Sequence, residues 1–90
     1  MLLPLKLPLK YIFMEIQQTL EYIVKAIVDT PDDIVIESTV TADGITNLLV
    51  SAPESVVGQI IGKQGRIIKS IRTLLNLAYP EIRYNLEIKE

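Results

Sequence analysis

Hydrophobic and polar positions follow two rhythms along this chain, one helical and one extended. From Met14 to about Asp29 the apolar residues are Ile16, Leu20, Ile23, Val24, Ile27 and Val28, a stripe on one side of a helix. Glu21 and Lys25 stand four apart with the acid first, the order that supports a helix. Pro31 pushes Thr30 out of helical geometry and predicts the end of this element. The β-branched run Ile34 to Val40 then reads as a strand. Asp43-Gly44 predicts a tight hairpin turn with positive φ angles, and Ile45 to Val50 returns as a second strand. Ser51-Ala52-Pro53-Glu54 carries helix-start chemistry: a capping Ser, an early Pro and a Glu three residues on.

The helical rhythm resumes with Val56, Val57, Ile60 and Ile61, and Gly62 stops it. A further helix runs from near Arg66 to before Tyr79-Pro80. Ile67, Ile71, Leu74, Leu75 and Ala78 are expected on its inner face, with Arg66, Lys69 and Arg72 on the other. A last strand alternates strictly, Ile82, Tyr84, Leu86 and Ile88 against Arg83, Asn85, Glu87 and Lys89. The predicted order α-β-β-α-α-β describes an α+β domain, one three-stranded sheet with three helices on one face. Residues 14–90 form this domain. Met1 to Phe13, with its imperfect repeat Leu3-Pro4-Leu5-Lys6 and Leu7-Pro8-Leu9-Lys10, reads as an extended, poorly ordered N-terminal arm or as a start placed too early, since Met14 opens a clean helix. Its prolines, lysines and short length do not suit a membrane span, and it matches a signal peptide poorly.

Composition narrows the chemistry. Ninety residues make one domain, and one this small buries only roughly 60% of its unfolded surface, little from which to build a deep catalytic cavity. The chain has no Cys and no His, so it lacks a disulfide framework, a thiolate metal site and the usual neutral-pH acid/base. A net charge of -2 does not itself suggest a nucleic-acid binder. Its distribution does: from Ser55 to Pro80 lie Lys63, Arg66, Lys69 and Arg72 and no acid, so that segment is +4 and the remainder -6. A local basic stripe can hold a phosphate backbone on an otherwise acidic body.

The stripe surrounds the junction Gly62-Lys63-Gln64-Gly65. Gly62 can end the first helix in left-handed geometry, and Gly65 lets the chain turn again. The amides of Lys63, Gln64 and Gly65 are expected to be free, because a helix leaves its first N–H groups unpaired. With the positive end of the helix dipole, Lys63 and Arg66 complete an anion site suited to a phosphodiester. A Gly-x-x-Gly by itself marks only a helix stop and a turn. Its place between two apolar-faced helices, with Lys inside and Arg just after, carries the stronger reading.

Val57-Gly58-Gln59-Ile60-Ile61-Gly62-Lys63-Gln64-Gly65-Arg66-Ile67-Ile68 resembles the KH signature, and the element order resembles the type II KH fold. More narrowly, Leu20 to Ala78 is similar to the small bacterial single-KH family KhpA, chiefly through Leu20 to Ala26 and Gly62 to Arg66. The resemblance implies a cytoplasmic, single-stranded RNA-binding protein, an RNA chaperone or post-transcriptional regulator. It also implies self-association, pairing with a larger KhpB-like partner, and a link to cell shape and peptidoglycan homeostasis. KH loops of this kind clamp the backbone of about four nucleotides. Carried over, Gly62, Lys63, Gln64 and Gly65 form the clamp. Ile60, Ile61 and Ile68 are candidates for its apolar groove, with core packing the expected role of Ile61 and Ile60. Arg66, Lys69 and, less directly, Arg72 follow from helix geometry as phosphate contacts.

Other readings fit less well. A nucleotide-binding P-loop needs four residues between its glycines and a Ser or Thr after Lys; Gly58 to Gly62 is one residue short and Gln64 stands in that place. A helix-turn-helix reader of DNA would present Ser70, Thr73 and Asn76 to base edges, but does not need three strands. Five aromatics, none between Gly44 and Ala78, do not make the stacking platform of an RRM or OB-fold. Asp32-Asp33 and Lys69-Ser70 form no acid/base constellation, so no enzyme, metal or cofactor is expected. A pure protein-interaction module with a structural Gly-x-x-Gly loop is the alternative of a different class.

Overall fold

The computed structural model describes residues 15–90; the N-terminal arm lies outside the described residues. Helix α1 spans Ile16–Ile27 and β1 and β2 span Val35–Val40 and Thr46–Ser51. Helices α2 and α3 span Glu54–Ile61 and Arg66–Ala78, and β3 spans Tyr84–Lys89. Short 3-10 turns occupy Pro31–Asp33 and Lys63–Gly65. The sheet order is β1-β2-β3, antiparallel for β1 with β2 and parallel for β2 with β3. This is the α+β arrangement that the pattern predicts, in the element order that resembles the type II KH fold.

The core lies between the sheet and all three helices. Leu48, Val50 and Leu86 point inward from the strands, and Leu20, Val24, Ile60, Ile71 and Leu75 meet them from the helices. Register explains the inner rows, since Ser38, Leu48 and Leu86 pair across the sheet, as do Ile36, Val50 and Ile88. Asn85, Glu87 and Lys89 face solvent as the period-two pattern requires.

Several local expectations are corrected. Helix α1 stops at Ile27, because Val28 takes extended geometry (φ -110, ψ 158) and packs beside the core. Its end is tied to α2: Gln59 Nε2 donates to Asp29 Oδ2 at 2.9 Å and Gln59 Oε1 accepts the Asp29 amide at 3.0 Å. In the hairpin only Gly44 has positive φ; the Gly44 amide donates to the Thr41 carbonyl at 3.0 Å, a three-residue loop ending on a left-handed Gly. Ser51 closes β2 and does not cap α2, whose N-cap position is Pro53 without a side-chain cap. On α3, Ile71 and Leu75 are buried and Ile68 is partly buried, while Ile67 and Leu74 are exposed. The helix stripe spans more than its core-facing side. Ile82 precedes β3 and is exposed.

Candidate nucleic-acid interface

The loop between α2 and α3 is built from left-handed backbone. Gly62 has φ 77, Gln64 φ 57 and Gly65 φ 73; among the described residues Gln64 alone has positive φ without being Gly. Gly62 ends α2 with its amide on the Gly58 carbonyl at 2.9 Å. A Cβ on Gly62 would lie 2.5 Å from Ile67 Cγ1, so Gly62 answers a steric need as well as a conformational one. Ile67 therefore packs over the loop. Sequence reasoning assigned it to the core, and the only signal for its role was an apolar residue directly after Arg66.

Not every expected donor is available. The Gly65 amide bonds to the Gly62 carbonyl at 3.1 Å, and the Arg66 amide closes on Lys63. The amides of Lys63 and Gln64 have no backbone acceptor. Lys63 and Gln64 stand within three residues of Arg66, where α3 begins, so these two N–H groups adjoin the positive end of a 13-residue helix. Lys63, Gln64 and Arg66 are exposed, and Arg66 Nη2 donates to Gln64 Oε1 at 3.3 Å, which holds the guanidinium beside the turn.

Lys69 lies one turn along α3, exposed and on the same side as Arg66. Arg72 continues that side, but its Nη2 donates to the Leu86 carbonyl at 3.1 Å, joining the helix to the open edge of β3. Among the described residues the ion pair is Lys25 with Glu21 on α1, at 2.8 Å. None of Lys63, Arg66, Lys69 and Arg72 has a carboxylate partner, so the four charges of α3 and its loop act together on solvent.

The three groove candidates separate. Ile60 is fully buried and belongs to the core, as expected. Ile61 reverses its expectation: at 36% exposure it stands at the surface beside Gly62, because α2 ends there and nothing covers its last residue. Ile68 is half-buried, packed against the core. Ser70 and Thr73 donate their hydroxyls to the backbone carbonyls of Arg66 and Lys69, and Asn76 Oδ1 accepts from the Tyr84 hydroxyl. Asp32 and Asp33 sit in an exposed 3-10 turn. No described helix is long and apolar enough to cross a membrane.

Comparison with known proteins places this arrangement. The family model described as the KhpA/KhpB KH domain matches residues 17–88. The RNA-binding protein KhpA of Clostridium acetobutylicum is 44% identical over 62 residues, 69% of this chain and 81% of that protein. The RNA-binding protein KhpA of Chlamydia pneumoniae is 42% identical over 77 residues, 82% of this chain and 96% of that protein. Among solved structures, Era in complex with MgGDPNP and nucleotides 1506–1542 of 16S ribosomal RNA superposes with a TM-score of 0.57 at 19% identity. That match covers 93% of this chain but 32% of Era, and it speaks to the fold alone. The stripe, the left-handed Gly-x-x-Gly turn and the sheet order thus coincide with a family match over most of the chain: this protein belongs to the KhpA/KhpB family of KH-domain proteins.

Proposed function

We propose that this protein binds single-stranded RNA, with Gly62, Lys63, Gln64 and Gly65 as a phosphate clamp and Arg66 and Lys69 as flanking contacts. The observation that carries this reading is the pair of unpartnered amides at Lys63 and Gln64, set beside cations that no carboxylate neutralises. Ile61 and Ile68 supply apolar surface next to the clamp. The relatives named as RNA-binding proteins support RNA as the ligand.

In this reading the protein acts in the cytoplasm as an RNA chaperone or post-transcriptional regulator and not as an enzyme. It works as a homodimer or with a KhpB-like partner, in the service of cell shape and peptidoglycan homeostasis. The exposed apolar residues of α3, Leu74 at 51% and Leu77 at 75%, favour such association, because they stand two or more turns from the loop and leave the clamp open.

A salt titration tests the clamp. With about three phosphates neutralised, log affinity for a short single strand falls with log salt at a slope near roughly -2. A slope near zero contradicts an electrostatic clamp.

A further inference from the structure

Helix α1 has a sharp start, and its first turn stands beside an apolar opening in the fold. Glu15 holds the N-cap position in extended geometry (φ -73, ψ 154), and its amide donates to Gln18 Oε1 at 3.0 Å as half of a capping box. The chain before Glu15 therefore departs from the helix axis. At the point of departure, Glu15, Ile16, Ser38, Val40, Tyr79 and Ile82 border an open hollow of about 370 Å³.

The hollow lies at the hairpin end of the sheet. Ser38 is on the inner row with Leu48 and Leu86, and Val40, two residues on, shares that face of β1. Val40 is nevertheless 68% exposed, and Ile82, just before β3, is 39% exposed. Two large apolar side chains on the helix-covered side of the sheet thus border water.

The walls are fastened to one another. The Tyr79 and Thr19 hydroxyls share a hydrogen bond, which joins the end of α3 to α1. Gln17 Nε2 donates to the Ile36 carbonyl at 3.2 Å, joining α1 to β1, and Arg83 Nη2 donates to the Asp43 carbonyl at 2.9 Å, joining the start of β3 to the hairpin. A hollow held in this way gains from an apolar occupant without having to rearrange.

The sequence directly before Glu15 is Tyr11-Ile12-Phe13-Met14, four large apolar residues in a row. Phe13 is two residues from Glu15 and so lies within about 7 Å of it along the chain, and Tyr11 within about 14 Å. Each aromatic ring has about 150–250 Å² to bury. Lys10 ends the apolar run, so its length matches the hollow and not a longer groove.

We propose that Tyr11 to Met14 fold back onto this hollow, with the Phe13 ring against Val40 and Ile82 and Tyr11 at the rim. Tyr79 stands at the opposite end of α3 from the Gly-x-x-Gly loop, so this contact leaves the clamp free and is independent of it.

Thermal unfolding of the full chain tests it, with Phe13→Ala, Ile82→Ala and the two together. Each single change is expected to lower Tm by about 4 °C or more, and the double by about the larger single loss, because both remove the same contact. A wild-type Tm in Phe13→Ala, or single losses that add in full, overturns the proposal. Chymotrypsin cleavage after Tyr11 gives a second readout in Val40→Asp, with folding checked by circular dichroism. Release of the segment is expected to speed cleavage about fivefold or more over wild type, and an equal rate overturns the contact. A Tm that rises with protein concentration in wild type but not in Phe13→Ala gives the hollow to the segment of a second copy, and overturns the fold-back within one chain.

Discussion

A methyl group at Gly62 would meet Ile67 at 2.5 Å and would also sit on a backbone with φ 77, whereas at Gly65 the nearest atom is 4.0 Å away and only φ is at issue. Gly62→Ala is therefore expected to destabilise the fold by about 2–4 kcal/mol, left-handed strain plus overpacking, and Gly65→Ala by about 1–2 kcal/mol. Urea denaturation of the two variants measures this, and equal losses would remove the steric part of the argument. Both glycines were legible from the sequence, because a helix stop and a second turn demand them. The Gly65 amide was not: its bond to the Gly62 carbonyl depends on the handedness of Gln64, which a Gln in that place does not announce. The exposure of Ile61 was hidden for a related reason, although the core role of Ile60 was expected. Adjacent positions on a helix point about 100° apart, and the sequence does not say which of the two the core takes.

At the scale of elements, α3 carries three surfaces. Its buried side holds Ile71 and Leu75, its basic side Arg66, Lys69 and Arg72, and its exposed apolar side Leu74 and Leu77. Leu75→Ala is expected to cost about 2–5 kcal/mol, and Leu77→Ala within about 0.5 kcal/mol, in thermal or chemical unfolding of the monomer. Periodicity locates helices well, yet it merged the buried and the exposed apolar sides of α3, since both are equally hydrophobic. Ser51 failed as a cap for a different reason: β2 pairs with β1 and β3 out to Ser51, and Val35 and Lys89 hold it in the sheet. The edge between α3 and β3 has a pH signature. Burial raises the Tyr84 phenol above its ordinary value, and Arg72 partly opposes this. A raised folded value means that the stability contributed by neutral Tyr84 is fully present below about pH 10 and is lost as pH rises through the folded value. Melting curves from pH 8 to 11 are expected to show a steeper alkaline decline in wild type than in Tyr84→Phe; parallel declines would mean that burial does not raise the Tyr84 phenol.

For the molecule as a whole, the sheet carries the position of the loop. The parallel pairing of β2 with β3 requires the chain to cross back over one face, and α2, the loop and α3 are that crossing, with the clamp at its bend. The order of elements was readable from pattern and turns, while the exposure of Leu74 and Leu77 on α3 required coordinates. If Leu77 lies in a contact between copies, Leu77→Asp shifts the sedimentation equilibrium toward monomer without lowering the melting temperature; an unchanged distribution places self-association elsewhere. The separation of charge, +4 between Ser55 and Pro80 against -6 elsewhere, directs an anionic strand to the α2–α3 side and away from the rest.

The central claim is that this bend holds RNA phosphates. Its most direct test is the binding of a fluorescent single-stranded RNA to wild type and to the folded Lys63→Asp, Gln64→Asp variant, which sets two carboxylates where the phosphates lie and keeps both glycines. The account predicts binding by wild type and its loss, by at least about a hundredfold, in the variant. Equal binding by both would show that RNA enters elsewhere, and no binding by either would give the lead to protein interaction.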